Sequence, residues 1–286
     1  MKRKKISKKR LLELKKLAAQ TRQAMVESLI RAGCGHPGGA FSCVDLLIAL
    51  YFEILNFDAR NPRSSERDRF ILSKGHSSIA LYSVLYLKGL VTKDELLTFR
   101  QDKSALCGHP DMHKVAGVEM STGSLGHGLS VGVGLALAGR FNKKKYRTFV
   151  LLGDGETQEG SIWEAAMAAS HYKLDNLIAI VDRNKMQIDG LTEDIMSLEP
   201  YADKWNAFGW SVKEIDAHNF DEICACLHSV PFQRKKPSLI IAHSTKGKGI
   251  SFMENNYEWH GKALKDNDAI MAKEETERSL KECLYG

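Results

Sequence analysis

The sequence lacks the features that mark membrane, secreted and disulfide-bonded proteins. In its 286 residues no apolar run approaches the roughly 18 to 20 residues that a membrane-spanning helix needs, and no signal-peptide pattern is present. Its six cysteines include no C-x-x-C pair and have no regular spacing, which argues against a disulfide framework or a zinc ribbon. We therefore expect reduced thiols and a cytoplasmic location.

Acidic residues are absent from the first ten positions, which hold seven Lys or Arg residues. These charges exceed the formal net charge of +6, so the rest of the chain is close to neutral and lacks the basic field of nucleic-acid-binding proteins. We predict that residues 1–10 form a flexible basic arm and that neither nucleic acid nor a membrane is a partner. A tether to RNA or to a membrane is the alternative function of the arm.

Linkers, low-complexity stretches and internal repeats are also missing, so residues 11–286 are predicted to form one domain. Hydrophobic residues make up 43% of the chain, which is enough for a sizeable core. Strand-like and helix-like patterns alternate, and this predicts an α/β fold with a mainly parallel sheet and helices on both faces. The predicted strands are 69–72, 148–152, 177–182, 210–215 and 238–243.

Helices are predicted from apolar spacing and from capping signals. Apolar residues on one helical face predict an amphipathic helix over 11–32. Ser42 followed by Asp45, and Thr92 followed by Glu95, have the spacing of a capping box. We therefore predict that two further helices begin at these positions.

The segment between the second and third predicted strands carries the clearest chemical signal. It begins with GDG at 153–155, and Asn184 follows the next strand. Because parallel strands end at the same sheet edge, the carboxylate of Asp154 and the amide oxygen of Asn184 would lie close together there. A helix that begins near Ser161 would direct free N–H groups towards an anion. This arrangement fits a magnesium-bound diphosphate.

Two other interpretations apply to this segment. A Gly-Asp-Gly turn also occurs in ordinary Rossmann-like units, although Asn184 at a fitting distance favours the ligand site. A dinucleotide site is the weaker interpretation, because the next glycine is Gly160 rather than the one that G-x-G-x-x-G requires, and no P-loop lysine follows.

Five histidines stand beside glycines in predicted loops or at helix starts. They are His36, His76, His109, His127 and His260. Two long stretches, 100–126 and 245–264, are expected to be ordered loops that overhang Asp154. A single histidine is more often structural than catalytic, but five in Gly-flanked turns favour a site. A zinc cluster around His109 and His113 is the alternative, and the absence of H-E-x-x-H argues against it.

Together these motifs resemble those of transketolases. GDG followed by Asn after a helix and a strand is similar to the thiamine diphosphate motif. Six further segments resemble transketolase signatures, in the same order and over nearly the whole chain. They are GHPGG (35–39), DRFILSKGH (68–76), GHP (108–110), STGSLGHGLS (121–130), NLIAIVDRNKMQIDG (176–190) and WHGKAL (259–264). Separately only the GDG-to-Asn span carries much weight, whereas the whole set is highly specific.

The resemblance implies thiamine diphosphate and Mg²⁺, or Ca²⁺ or another divalent cation, as cofactors. Its implied metal ligands are Asp154, Asn184 and the backbone carbonyl of Met186. The implied cofactor contacts are His76, His260 and Gly155 at the diphosphate, Gly123 and Leu125 at the aminopyrimidine, and Ile188 at the rings.

The resemblance also implies the catalytic groups and the reaction. His36, His109 and His260 would surround the reactive carbon and the sugar, and neutral imidazoles would bind hydroxyls and move protons near pH 7. Glu159 would be the buried acid that links two cofactor sites across a dimer. The implied reaction transfers a two-carbon ketol unit from a ketose phosphate to an aldose phosphate.

Transketolases continue with a pyrimidine-binding domain and a third domain, and the glutamate that activates the cofactor belongs to that missing part. The resemblance therefore implies the N-terminal subunit of a split transketolase, which is active only with a C-terminal partner subunit in a dimer of heterodimers. Residues 265–286 fit a finished, charged helix better than a truncation.

Two positions depart from the family pattern, and they leave the donor sugar less defined than the cofactor. His127 stands where Gln is common, and Arg183 precedes Asn184 where many relatives have Asn or a small polar residue. One alternative is a split transketolase for a modified sugar, either a sulfosugar or a branched ketose phosphate. Another is a non-catalytic thiamine diphosphate-binding assembly subunit, and a 1-deoxyxylulose 5-phosphate synthase fragment fits less well.

Overall fold

The structure is a computed structural model that describes residues 6–285. The first five residues of the predicted basic arm lie outside this range. Its last residues, 8–10, form the first turn of a helix that continues to Ala32, so the predicted helix over 11–32 is confirmed. Ser7 caps this helix by accepting a hydrogen bond from Arg10 N at 3.1 Å, which satisfies one of the free N–H groups of the first turn.

Helices and strands alternate along the chain. The helices are α1 (Lys8–Ala32), α2 (Pro37–Ser42), α3 (Val44–Ala49), α4 (Ser78–Leu87), α5 (Lys93–Leu96), α6 (His127–Phe141), α7 (Gly160–His171), α8 (Thr192–Ile195), α9 (Tyr201–Ala207), α10 (Phe220–Leu227) and α11 (Asp266–Tyr285). The strands are β1 (Arg69–Leu72), β2 (Thr148–Gly153), β3 (Leu177–Arg183), β4 (Met186–Gln187), β5 (Gly190–Leu191), β6 (Ser211–Asp216) and β7 (Ser238–His243). A π-helix continues α3 over Leu50–Ile54, and short 3-10 helices lie at Gly75–Ser77, Gly155–Gln158 and Tyr257–His260.

Five strands form a parallel sheet in the order β1-β2-β3-β7-β6. The two-residue strands β4 and β5 form a separate antiparallel pair. The α/β fold and the parallel sheet are confirmed, and the predicted strands agree with the observed ones to within one residue at each end. Four of these strands are apolar runs, as expected for strands that are buried on both faces, whereas the edge strand β6 is mostly exposed or half-buried.

The core lies in two layers, one on each face of the sheet. In β3, Ile178 and Ile180 face one layer, whereas Ala179 and Val181 face the other, because successive side chains of a strand alternate. The first layer is closed by α1, α3 and α4, and the second by α6, α7 and α9. No helix among residues 6–285 is long and apolar enough to cross a membrane.

One of the two predicted capping boxes is wrong. The Thr92–Glu95 box is present at α5, but Ser42 is the last residue of α2 rather than the cap of a new helix. Its hydroxyl donates to the buried carboxylate of Asp182, and Asp45 binds Arg22 at 2.8 and 3.0 Å. These tertiary contacts use both side chains, and a local signal of about 1 kcal/mol does not compete with them.

Candidate active site

The polar residues of the site follow the carboxyl ends of four neighbouring strands. Lys74 and His76 follow β1, Asp154 follows β2, Asn184 follows β3 and Lys246 follows β7. The strand order makes these ends adjacent. Open parallel sheets bind ligands at this edge, which is where the sequence predicted the site.

Asp154 is buried, and its carboxylate accepts three hydrogen bonds within the chain. Oδ1 accepts from Gly155 N at 2.8 Å, and Oδ2 accepts from Lys185 N at 2.5 Å and from Arg183 Nη1 at 3.2 Å. The N–H of Gly155, which the resemblance assigns to a diphosphate, is thus directed to Asp154 in this structure. Burial raises the pKa of Asp154, and a cation at this carboxylate would lower it again.

Three oxygen donors in this region fit a hard divalent cation. They are the carboxylate of Asp154, the amide of Asn184 and the carbonyl of Met186. Asn184 Oδ1 accepts from Met186 N at 3.1 Å, which holds the amide oxygen in the turn after β3. A carboxylate, an amide and a carbonyl suit Mg²⁺, which normally keeps other positions for water or phosphate oxygens. Among residues 6–285, no three or more His, Cys, Asp or Glu side chains are grouped to hold a metal ion.

Arg183, one of the departures from the family pattern, is buried and holds the loop after β3. Besides Asp154, its guanidinium donates to Thr192 Oγ1 at 2.8 Å, to Glu193 Oε1 at 2.9 Å and to Glu199 Oε1 at 3.0 Å. Arg183 therefore offsets only part of the charge of Asp154, because the same guanidinium also pairs with Glu193 and Glu199.

Four of the five predicted histidines lie together. The ring centroid of His36 is 5.4 Å from that of His76, 6.3 Å from that of His109 and 5.7 Å from that of His260. The rings of His76 and His260 are 5.1 Å apart. We call these four residues the histidine cluster. His127 is exposed at the first residue of α6 and is not part of it.

Burial and nearby cations keep the histidine cluster uncharged. Burial, assisted by Lys246, lowers the pKa of His260 to about 3. Burial and then Arg100 lower the pKa of His36 to about 4, and burial holds the pKa of His76 well below its ordinary value. At neutral pH these imidazoles are therefore neutral hydrogen-bonding groups. A bound anion would raise their pKa values.

Lys246 is a site residue that the sequence reasoning missed. It is 1% exposed, its Nζ lies 3.2 Å from His260 Nδ1, and it forms no ion pair among residues 6–285. Burial lowers its pKa to about 8. Gly38 makes room for it, since an added Cβ there would lie 3.0 Å from Lys246 Cε. A buried cation without an anion is unfavourable, so an anionic ligand would complete this position.

Lys74 is a second missed residue, with the opposite surroundings. It is 1% exposed, forms an ion pair with Asp182 and donates to Gly39 O at 2.7 Å. Asp182 also accepts hydrogen bonds from Ser42 and Ser244. Burial disfavours both charges, but the ion pair outweighs it and lowers the pKa of Asp182. A lysine in a loop is usually solvated, so only its position directly after a strand was a signal.

The two glutamates of the GDGETQEG segment differ in exposure. Glu156 is buried and accepts from the N–H groups of Gly126 and Gly153, both at 3.0 Å. Glu159, which is expected to be a buried acid, is exposed in this single chain just before α7. Its burial against a second subunit stays a prediction.

The residues predicted to contact the cofactor rings lie on the open side of the site. Leu125 is 36% exposed and Ile188 is 64% exposed. Gly123 lies against His109, and an added Cβ there would be 3.2 Å from His109 Cδ2. A cavity of about 440 Å³ is lined by Gly123 and His127 among others. The contacts of Gly123, Leu125 and Ile188 with the cofactor rings also stay predictions.

Comparison with known proteins agrees with these observations. The family profile described as "Transketolase, thiamine diphosphate binding domain" matches residues 14–279. An apulose-4-phosphate transketolase subunit of Phocaeicola vulgatus is 49% identical over 241 residues, which are 84% of this chain and 85% of that protein. A 6-deoxy-6-sulfo-D-fructose transketolase subunit of Clostridium sp. is 45% identical over 253 residues, covering 88% of this chain and 92% of that protein.

A solved structure is also similar. The crystal structure of transketolase from Campylobacter jejuni matches with a TM-score of 0.84 and 31% identity. The match covers 95% of this chain but 45% of that one. This chain therefore spans less than half the length of the Campylobacter protein, whereas it matches most of the length of the two subunits.

Proposed function

This chain belongs to the transketolase family of enzymes, and we propose that it is the N-terminal, diphosphate-binding subunit of a split transketolase. In this proposal a cytoplasmic dimer of heterodimers forms with a C-terminal subunit that supplies the pyrimidine-binding and C-terminal domains. The assembly transfers a two-carbon ketol unit from a ketose phosphate to an aldose phosphate. The match to most of two proteins that are named as transketolase subunits supports the split arrangement.

The observation that carries the proposal is the buried Lys246 beside the histidine cluster. This cation has no ion-pair partner among the described residues, and it lies at the same sheet edge as Asp154 and Asn184. A diphosphate bridged to a divalent cation would supply the negative charge on one side and engage the oxygen donors on the other. Thiamine diphosphate with Mg²⁺ has these two parts.

The residues have separate roles in this proposal. Asp154, Asn184 and the Met186 carbonyl would hold the divalent cation, while Lys246 and His260 would bind the diphosphate. When bound, thiamine diphosphate supplies the carbon nucleophile and the electron sink for breaking the C–C bond.

His36 and His109 would bind the hydroxyl groups of the sugar. Because burial keeps the pKa of both rings low, they are neutral at pH 7 and serve first as hydrogen-bonding groups that orient the substrate. At His109, a proton of a sugar hydroxyl would pass to the unprotonated ring nitrogen only as the C–C bond changes. Loops 100–126 and 245–264 would exclude water from this reaction.

The test is reconstitution of the pair. The chain is purified together with the proposed C-terminal subunit, and ketol transfer from ketose phosphate donors is measured with thiamine diphosphate and Mg²⁺. We expect transfer by the pair and none by either chain on its own. If the pair binds the cofactor yet transfers no ketol unit between any sugar phosphates, the chain is a non-catalytic assembly subunit instead.

A modified sugar is the second candidate for the donor. Both subunits compared above are named for unusual substrates, apulose 4-phosphate and a sulfonated fructose. His127 supports this candidate, since it departs from the common Gln at the edge of the open cavity. Donor preference is measured as the ratio of kcat/KM for a branched or sulfonated ketose to that for an unmodified ketose phosphate.

A further inference from the structure

Arg100 lies beside the histidine cluster and has no role in the function proposed above. Its φ of +59° is a left-handed conformation that residues other than glycine rarely adopt. Its N–H donates to Leu106 O at 2.9 Å, which closes the loop. The guanidinium lies against Gly108, where an added Cβ would be 2.6 Å from Arg100 Nε. The unusual backbone and the missing Cβ together fix the guanidinium at this place.

The contact with His36 determines where the His36 proton is. Arg100 Nη2 lies 3.2 Å from His36 Nδ1. A guanidinium has only donors and keeps its charge, so His36 Nδ1 must accept the hydrogen bond and carries no proton. The ring is therefore the neutral tautomer with its proton on Nε2.

The Nε2 side of His36 faces into the cluster. An added Cβ on Gly261 would lie 3.9 Å from His36 Nε2, and Gly261 directly follows His260. The rings of His36 and His260 are 5.7 Å apart and perpendicular. Nε2 of His36 therefore lies on the side of the ring that is next to Gly261 and His260, where the sugar would bind in the proposed function.

The guanidinium of Arg100 lies in an unfavourable environment. Its Nε is buried and has no hydrogen-bond partner among residues 6–285. Leaving a buried donor without a partner costs about 1–3 kcal/mol. The guanidinium also has two weaker contacts: Nη1 lies 3.9 Å from Cys34 Sγ, and Cζ lies 5.8 Å from the centroid of the Phe99 ring. The contact with His36 Nδ1, at 3.2 Å, is the shortest polar contact of this guanidinium among residues 6–285.

We propose that Arg100 is a positioning residue that fixes His36 as the neutral Nε2–H tautomer, so that His36 offers a hydrogen-bond donor to a sugar oxygen. A ring N–H binds a carbonyl oxygen, whereas the other tautomer would present a lone pair that repels it. The identity of the substrate rests on the function proposed above, but the tautomer of His36 does not.

The test has a spectroscopic part that needs no activity. The full chain is labelled with ¹⁵N-histidine, and long-range ¹H–¹⁵N spectra at pH 7 are compared between the native protein and Arg100→Met. We expect native His36 to have an unprotonated Nδ1 and a protonated Nε2. In Arg100→Met both ring shifts should move towards the average of the two tautomers. In the reconstituted pair, kcat/KM for the donor should fall about 10-fold, with the affinity for thiamine diphosphate unchanged.

The loop offers a matched control. Lys103 is exposed and also has a left-handed φ, of +62°, so Lys103→Met removes a cation from the same loop without touching His36. It should change neither the spectra nor the kinetics. Arg100→Lys keeps a cationic donor and should keep the ring shifts closer to native than Arg100→Met does. If Arg100→Met does not fold, Gly108→Ala displaces the guanidinium and should cause the same spectral change.

Two results would overturn the inference. One is a native His36 that carries its proton on Nδ1, and the other is an Arg100→Met protein with unchanged His36 shifts, whatever its activity. The expected spectra in a native pair that transfers no ketol unit would support the inference and contradict only the proposed function.

Discussion

Lys74 and Lys246 are equally buried at the same edge of the sheet, yet their surroundings differ in charge. Lys74 forms an ion pair with Asp182, whereas Lys246 forms no ion pair among residues 6–285 and contacts the neutral ring of His260. Accordingly Asp182 raises the pKa of Lys74 against the effect of burial, while burial lowers the pKa of Lys246 to about 8. The charge of Lys74 is thus compensated within the chain. The charge of Lys246 would be compensated by a bound anion.

The largest expected effect comes from removing the cation of the buried Lys74–Asp182 ion pair. Lys74→Met leaves the Asp182 carboxylate buried without a cation, and the free energy of unfolding should fall by about 3–5 kcal/mol in urea denaturation. Lys273→Met, at an exposed position of α11, is the matched control and should be neutral. Adding Asp182→Asn to Lys74→Met should recover part of the loss. A loss below about 1 kcal/mol would mean that the buried pair contributes no more than a surface one.

The next effect concerns the proposed metal ligand. Asp154→Ala should weaken the binding of thiamine diphosphate with Mg²⁺ by about 100-fold or more, because mutating residues that only hydrogen-bond to metal ligands already lowers metal affinity by about 10- to 100-fold. The affinity is measured by calorimetry. Stability should change less than in Lys74→Met, since Arg183 keeps three other acceptors. The exposed Asp194→Ala is the control. Unchanged affinity in Asp154→Ala would refute the metal assignment.

Lys246→Met tests most directly whether Lys246, unlike Lys74, serves to bind an anionic ligand. It should weaken thiamine diphosphate binding by about 10-fold, the value of one charge-assisted hydrogen bond. The Tm of the ligand-free chain should not fall, because the change removes a buried charge that forms no ion pair among the described residues. This combination is the reverse of Lys74→Met. A Tm that falls as far as in Lys74→Met would show that Lys246 is already paired in the chain.

The smallest effect is a pH dependence of the ligand-free chain. The pKa of His260 is about 3 in the fold and ordinarily 6.5, so the unfolded chain binds the proton first as pH falls. The stability from this ring is present above pH 6.5 and decreases below it, by about 1 kcal/mol at pH 5 after allowance for solvent screening. His36, Lys246 and Lys74 contribute to this low pKa. Tm measured against pH should fall less steeply in His260→Gln, and equal slopes would contradict the assignment.

The sheet was predictable to within one residue, mainly because four of its strands are short apolar runs such as 148–152. The histidine cluster was predictable as a set of Gly-flanked residues, and its proximity to Asp154 follows from strand order. Lys246 and Arg100 were not predictable. Their burial depends on space left by Gly38 and Gly108, which are distant in the sequence or separated by a loop. Ser42 was misjudged for the same reason, because its partner, Asp182, is 140 residues away.

The strand order has a consequence for synthesis of the chain. β7 pairs with β3 on one side and with β6 on the other, so it fills a gap between two strands that are made before it. Until Ser238–His243 has left the ribosome, the hydrogen-bonding edge of β3 is open and β6 has no neighbour in the sheet. Such an edge is prone to pairing with other chains, and the long sequence separation delays its closure. The nascent chain is therefore most exposed to misassembly while its last third is being translated.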